Sequence, residues 1–393
     1  MLRVSFGLDT LGGRPYEGVM LQSGGGDLRI ESVTARPLSV ALVEPFTIAS
    51  GRLDATRAVE IETRLLWNGK RATGLGEAAC LPPVTREDQP DVLREIDRLS
   101  PSLLGLVLPD GVPTLAALAA ALEGLLPQHP VTRAGIEISI LDAMAQIAGV
   151  PLRVFLGGGI RSRTRTLETD ITIAIAEPER MARLALDWCS RGFRALKIKV
   201  GADFESDTRA LEAIGCAVPG VRLRIDANAG LSPRQTIALA RECESLGLVV
   251  ECWEQPCAAS DLDAMGEVAA ALEAPVIADE SVKTIEDLMT IVERRCADGV
   301  NLKLAKMGGL LPAYRIGMKA KEHGLKLMAG GMVETRLGMT AGAHLACALG
   351  GVDFVDLDTA WLLESDPYEG GYRAEGPHYT LDDAAGLGVT RRR

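Results

Sequence analysis

The chain is poor in histidine, has no paired-cysteine motif, carries no surplus of positive charge and contains no apolar run long enough to cross a bilayer. Only four histidines occur, His129, His323, His344 and His378, and none falls at the end of a strand-like run where it could supply a base. His344 lies within an expected helix and reads as structural. The eight cysteines include no CxxC, which excludes a zinc framework and a dithiol redox motif. Most sit among apolar neighbours, as expected for reduced thiols of a cytoplasmic protein. A formal charge of −11 offers no counter-charge to nucleic acid or an anionic membrane. The N-terminus lacks a basic region followed by a continuous apolar segment, so no secretory signal is expected.

What is present fits a globular chain of about two domains: 393 residues, 47% hydrophobic and 24% charged. Residues 1–27 are glycine-rich and aperiodic, and read as an N-terminal extension. From Leu28 strand-like alternation begins, in Leu28–Val33 and Ala58–Thr63, and Asn68-Gly69 marks a hairpin. Helical patterns follow at Asp91–Leu99, Pro113–Leu126 and Ala134–Ala148. Strands followed by helices suggest an α+β domain over residues 28–155.

After Gly157-Gly158-Gly159 the pattern changes. Strand candidates start near Leu167, Ala195, Arg222, Val249, Pro275, Gly299, Lys326 and Phe354, at intervals of about 24–28 residues, with amphipathic segments between them. That period holds one strand, one crossover helix and a loop, so residues 156–365 are expected to form a parallel barrel. The last strand has no helix after it. The fold class is therefore α/β, a modified TIM barrel of (β/α)7β type, with an α+β capping domain completed by the returning tail, residues 366–393.

Five of these runs end in ionisable side chains: Lys197 and Lys199, Asp226, Glu254, Asp279 and Lys303. Barrel active sites assemble at the C-terminal ends of the strands, and residues two apart on a strand share a face. Three carboxylates on three consecutive strands would repel one another unless they pair with the lysines or hold a cation. All-oxygen ligation with open positions favours Mg²⁺, with Mn²⁺ as the other option. A cation there lowers the barrier to removing a proton next to a substrate carboxylate. Lys199 and Lys303, from the second and sixth strands, would face such a carbon from opposite sides. One removes the proton and the other returns one, a 1,1-proton transfer that inverts a stereocentre.

The constellation resembles the enolase superfamily, in its muconate lactonizing subgroup. The residues that carry the resemblance are Lys197-Ile198-Lys199, Asp226-Ala227-Asn228, Glu254-Gln255-Pro256, Ala278-Asp279-Glu280-Ser281 and Lys303-Leu304-Ala305-Lys306-Met307-Gly308-Gly309. Within that subgroup Thr169–Ile173, Gly330–Thr335 and Asp356-Leu357-Asp358 are similar to the first, seventh and eighth strands of dipeptide epimerases. The resemblance implies Lys199 and Lys303 as acid/base residues, with Lys197 supporting the enolate, and Asp226, Glu254 and Asp279 as Mg²⁺ ligands. It implies Asn228 and Glu280 behind them as orienting groups, and Asp356 and Asp358 as the site of the substrate's α-ammonium. Thr172 and Met332 join the substrate-binding surface, the substrate is a dipeptide, and homo-oligomers are usual.

The resemblance also implies a specificity loop in the capping domain, Phe46-Thr47-Ile48-Ala49-Ser50-Gly51-Arg52. In epimerases acting on alanyl-glutamate an arginine of this loop meets the substrate's side-chain carboxylate. Arg52 falls one position off that register, and an exposed arginine with no such role is the other reading. The lack of a strand-end histidine sets the chain apart from the histidine-using racemases of the superfamily. N-acylamino-acid racemase, o-succinylbenzoate synthase and muconate cycloisomerase would keep the lysines and the metal site. None of them needs the Asp356/Asp358 pair.

Overall fold

The computed structural model describes residues 28–392 except 49–50, 68, 107–114, 159–164 and 202. The expected extension, residues 1–27, lies outside the described residues, as do Gly159 and the first two positions of the helix expected from Pro113.

Three antiparallel strands open the capping domain: β1 (Arg29–Leu38), β4 (Arg57–Trp67) and β5 (Lys70–Cys80), in the order β1-β4-β5. Trp67 pairs with Lys70 across the expected hairpin. Between β1 and β4 in sequence, β2 (Ala41–Ile48) and β3 (Gly51–Ala55) pair antiparallel as a separate two-stranded sheet. Helices α1 (Gln89–Leu104), α2 (Leu115–Leu125) and α3 (Pro130–Ala148) follow. Asp88 caps α1 and exchanges side-chain and backbone hydrogen bonds with Asp91, which fixes where that helix starts.

Helix α3 lies against β5 because two glycines clear the way. A Cβ on Gly74 would stand 2.0 Å from Ser139 O, and one on Gly76 2.1 Å from Gly135 O. The alternation Gly74-Leu75-Gly76 therefore removes side chains from the one strand face the helix must touch.

The first expected barrel strand divides in two. β6 (Thr166–Glu168) pairs with the tail, and the barrel proper starts at β7 (Ile171–Ile173). From there strand and helix alternate: α4 (Pro178–Ser190), β8 (Ala195–Lys199), α5 (Phe204–Ala217), β9 (Arg222–Asp226), α6 (Pro233–Ser245) and β10 (Val249–Glu254). Next come α7 (Leu262–Ala271), β11 (Val276–Ala278), α8 (Ile285–Arg294) and β12 (Gly299–Leu302). The short α9 (Leu304–Met307), α10 (Leu310–Glu322), β13 (Lys326–Gly330), α11 (Arg336–Leu349) and β14 (Phe354–Asp356) complete it. The eight parallel strands run in sequence order from β7 to β14. Asp170 N donates to Val355 O at 3.1 Å and draws the two ends of the sheet together.

The tail returns as β15 (Tyr368–Gly370), β16 (Tyr372–Glu375), β17 (His378–Leu381) and β18 (Val389–Arg391). Strand β17 bridges β16 and β6. Arg391 and the Tyr368 hydroxyl both bond to the buried carboxylate of Glu60 on β4, so the tail is tied to the capping sheet. Among the described residues no helix is long and apolar enough to cross a membrane.

Candidate active site

The strands that carry the site are short and sealed. Every residue of β8 is buried, as are the last three of β10 and all of β11 and β12. Their ionisable ends can stay in such a place only by compensating one another.

Lys197 is 1% exposed, and its ammonium lies 2.7 Å from Glu254 Oε2, 2.7 Å from Asp356 Oδ2 and 2.9 Å from Asp226 Oδ2. Lys199 Nζ donates to Asp226 Oδ2 at 2.6 Å and to Asn228 Oδ1 at 2.9 Å. On the far side Lys303 Nζ donates to Asp279 Oδ2 at 2.7 Å and stands 3.7 Å from Glu254 Oε1. Burial pulls Lys197 and Lys303 toward losing their protons, but the adjoining carboxylates outweigh it and hold both well above the ordinary lysine value. Burial likewise opposes ionisation of Asp226 and Asp279, and the lysines beside them overcome it and hold both carboxyls well below their usual range. Glu254 goes the other way. Burial and the charge of Asp226 raise it.

Supporting groups orient these side chains. Asn301 Nδ2 donates to Glu254 Oε1 at 2.9 Å, and Asn228 N donates to Asp226 Oδ1 at 2.9 Å. Asn228 Nδ2 reaches Glu280 Oε1 at 3.3 Å, and burial together with Asp279 pushes Glu280 up to about 7. The backbone is strained where ligands are aimed: Asn228, Ala229 and Gln255 have φ of 42°, 63° and 34°. Gln255 is locked in place, its Oε1 accepting from Asp279 N at 2.8 Å and Ser281 N at 3.1 Å.

The donor set fits a divalent cation on its chemistry. Asp226, Glu254 and Asp279 end or follow three adjacent strands and offer oxygen alone. Glu254 Oε2 is buried and, although 2.7 Å from Lys197 Nζ, is outside hydrogen-bonding geometry with any donor. Such an oxygen suits a metal ion, which asks for distance more than for angle.

A second acidic group stands across the barrel. Asp170, Asp356 and Asp358 each bring one carboxylate oxygen within 4.8 Å of the others. Here the counter-charges are protein groups: Arg224 Nη1 donates to Asp170 Oδ2 at 2.8 Å, Lys197 holds Asp356, and Thr172 N donates to Asp358 Oδ2 at 2.5 Å. Burial and the charge of Asp356 push Asp358 up to about 6. With arginine and lysine already bound, this group has protein counter-charges and needs no metal to balance it.

Of the residues expected from sequence, the structure places Lys197, Lys199, Asn228, Lys303, Asp356 and Asp358 on the wall of one cavity with Thr172 and Met332, and sets Asp226, Glu254, Asp279 and Glu280 directly behind the lysines and Asn228. The structure leaves Arg52 off that wall. Arg52 pairs with Asp54 at 3.1 Å, and its side chain is 62% exposed. Three contributors escaped the sequence reading as separate residues: Lys306, whose Nζ donates to Asp279 O and Oδ1 at 2.5 Å each, Asp170 and Arg224. Lys306 and Arg224 each put a charge between apolar neighbours, the one signal that could have drawn attention to them, whereas Asp170 follows Glu168 and Thr169 and carried no such signal.

A family model described as "Enolase C-terminal domain-like" matches residues 180–393. The chain belongs to the enolase superfamily. Its similarity extends to curated proteins over nearly the whole described length. It is 38% identical over 364 residues to an L-Ala-D/L-amino acid epimerase of Populus trichocarpa, covering 89% of this chain and 82% of that protein. It is 33% identical to an L-Ala-D/L-Glu epimerase of Bacillus subtilis (strain 168), covering 92% of this chain and 97% of that one. Among solved structures, a dipeptide epimerase from Enterococcus faecalis V583 complexed with Mg and L-Leu-L-Tyr superposes with a TM-score of 0.83 at 32% identity, over 92% of this chain and 99% of that one. This member of the superfamily is accordingly an isomerase, an epimerase by its relatives.

Proposed function

We propose that the enzyme inverts the α-carbon of the C-terminal residue of a dipeptide by proton transfer between Lys199 and Lys303. The observation that carries the reading is their placement. Lys199 ends β8 and Lys303 follows β12, four strands apart in a ring of eight, which supports an approach of the two amines to the substrate from opposite sides. Relatives named for dipeptide and L-Ala-D/L-Glu epimerisation support the choice of substrate.

Each residue then has a task. Asp226, Glu254 and Asp279 would hold Mg²⁺, which when bound anchors the substrate's carboxylate and favours the charge that deprotonation places on it. Asp356 and Asp358 take the α-ammonium at the other end of the substrate, with Thr172 N fixing the orientation of Asp358. One of Lys199 and Lys303 removes the α-proton from its own face. The other, protonated, delivers a proton to the opposite face. Lys197, fixed among Asp226, Glu254 and Asp356, keeps positive charge beneath the developing anion.

The test is isotopic. Dipeptide mixtures incubated with enzyme and Mg²⁺ in D₂O are expected to gain deuterium at the C-terminal α-carbon, with both epimers appearing. Turnover of N-succinyl amino acids, with every dipeptide inert, would replace this reading with N-acylamino-acid racemisation.

A further inference from the structure

We infer that the residue being epimerised carries an apolar side chain, housed against Phe46, Ile48, Leu81 and Val84 of the capping domain. The inference rests on the proposed dipeptide reaction and follows from the directions the barrel leaves open.

Two diameters cross in the site. Lys199 and Lys303 occupy the one from β8 to β12. The other runs from Glu254, at the end of β10, to Asp356, at the end of β14, which are also four strands apart. A substrate with its carboxylate toward β10 and its ammonium toward β14 lies along this second diameter. When the α-carbon loses its proton it becomes planar, and the lost proton lay perpendicular to that plane. The plane is therefore perpendicular to the line joining the lysines. It contains the second diameter and the barrel axis. Carboxylate and peptide nitrogen take the two directions along the diameter, so the side chain must run along the axis.

Downward the axis is filled. Lys197 sits there with its carboxylates, and on the same face of β9, two residues before Asp226, Arg224 holds Asp170 and lies 5.1 Å over the ring of Phe354. Cys252, Ile277 and Met328 close the layer around Phe354. The side chain must therefore point up, toward the capping domain, both before and after inversion.

What it meets there is apolar. Phe46 and Ile48 of β2, Leu81 and Val84 after β5, and Met332 and Val333 after β13 line the cavity. Among the described residues its only basic side chains are Lys197, Lys199 and Lys303, all engaged with carboxylates below. Arg52 is turned away for a reason of register. It stands opposite Thr47 in the β2–β3 pairing, and successive residues of a strand face opposite sides. Phe46 and Ile48 thus share one face, while Thr47 and Arg52 share the other. A carboxylate or ammonium placed against Phe46, Ile48, Leu81 and Val84 would lose its water without gaining a partner.

The test compares deuterium incorporation from D₂O, at fixed Mg²⁺, for L-Ala-L-Leu, L-Ala-L-Phe, L-Ala-L-Glu and L-Ala-L-Lys. The leucine and phenylalanine dipeptides are expected to exceed the other two in kcat/KM by about tenfold to a hundredfold, the range over which a pocket discriminates by apolar contact. Exchange led by L-Ala-L-Glu or L-Ala-L-Lys would overturn the apolar pocket and leave the dipeptide reaction standing. If none of the four exchanges while N-succinyl amino acids do, both fall. Leu81→Arg is expected to raise the glutamate-to-leucine ratio at least tenfold. An unchanged ratio in a variant with native circular dichroism would overturn the inference. Arg52→Ala is expected to leave the ratio as it is, and a selective loss with the glutamate dipeptide would return the role to Arg52.

Discussion

Lys306 grips Asp279 twice: its buried ammonium donates to the backbone carbonyl and to Oδ1 of the same aspartate, at 2.5 Å each. Asp279 Oδ2 is meanwhile held by Lys303. One lysine thus fixes the carboxylate that the other shares with the proposed metal site. Removing the support behind a ligand commonly costs metal affinity about 10–100-fold. Lys306→Gln is expected to weaken Mg²⁺ binding by that order in a calorimetric titration. Affinity equal to the parent's would show that Asp279 needs no such support.

Lys199 and Lys303 should fail differently. Loss of either base is expected to slow epimerisation by about 10²–10⁴-fold. The remaining lysine still faces one side of the α-carbon. Lys303→Ala should then exchange deuterium into one epimer and Lys199→Ala into the other, each far faster than it inverts. Proton NMR of each pure epimer in D₂O reads this directly. If both variants exchange the same epimer, the bases do not lie on opposite faces.

Much of this was legible because function forced charge into apolar runs. The strand-end lysines and carboxylates at 197, 199, 226, 254, 279 and 303 stand out from their neighbours, and the strand period gave the barrel. The split of the first strand was not legible. Leu167 and Ile171 are only four residues apart, with no glycine or proline between them, and only the tail's pairing with β6 separates the two strands. Arg52 stayed open in the sequence, between a substrate contact and an exposed arginine, because sequence shows proximity to a loop and not the face of a hairpin. The face depends on the Thr47–Arg52 register, which is a property of the pairing.

Acid stability should depend on His344, which is buried and neutral. Its Nδ1 accepts Arg153 N–H at 3.0 Å, which leaves Nε2 to donate toward Leu387 O at 3.4 Å. Burial lowers its pKa from 6.5 to about 3. Its contribution is whole above 6.5 and is lost as pH falls toward 3, because only the unfolded chain takes the proton in that window. The slope is roughly 1.4 kcal/mol per pH unit at most. His344→Gln should be less stable at pH 7 and lose less on going to pH 4.5, as read by urea unfolding. Parallel pH curves for parent and variant would contradict this.

The alkaline side belongs to Glu137. This residue of α3 accepts Leu311 N at 2.9 Å, at the start of α10, while Arg133 one turn earlier reaches the carbonyls of Met307 and Gly308. Together they hold the segment that follows Lys303. Burial raises Glu137 from 4.5 to about 8, against the pull of the Leu311 N–H and Arg133. A raised carboxyl contributes fully below 4.5 and loses that contribution as pH rises through 8. Glu137→Gln should flatten the decline between pH 5 and 9 by a few kcal/mol. Melting temperatures across that range would show it, and a steeper decline in the variant would refute it.

The seat of α3 on β5 makes the sharpest stability contrast. A methyl group on Gly76 would stand 2.1 Å from Gly135 O and 2.8 Å from Ser139 N, both backbone atoms that no rotamer change can move. The neighbouring Glu77 would shift as well, and its carboxylate accepts Thr335 N at 3.0 Å and Gly338 N at 3.0 Å, at the start of α11. Gly76→Ala is therefore expected to cost about 3–5 kcal/mol, the large end of single substitutions. Gly124, near the end of α2, has nothing within 4 Å of the same added carbon. Gly124→Ala should stabilise by about 0.4–1 kcal/mol, through the unfolded chain and helix propensity. Chemical denaturation of the two variants separates crowding from backbone entropy. A mild effect at Gly76 would mean that the helix can lift from the sheet without loss.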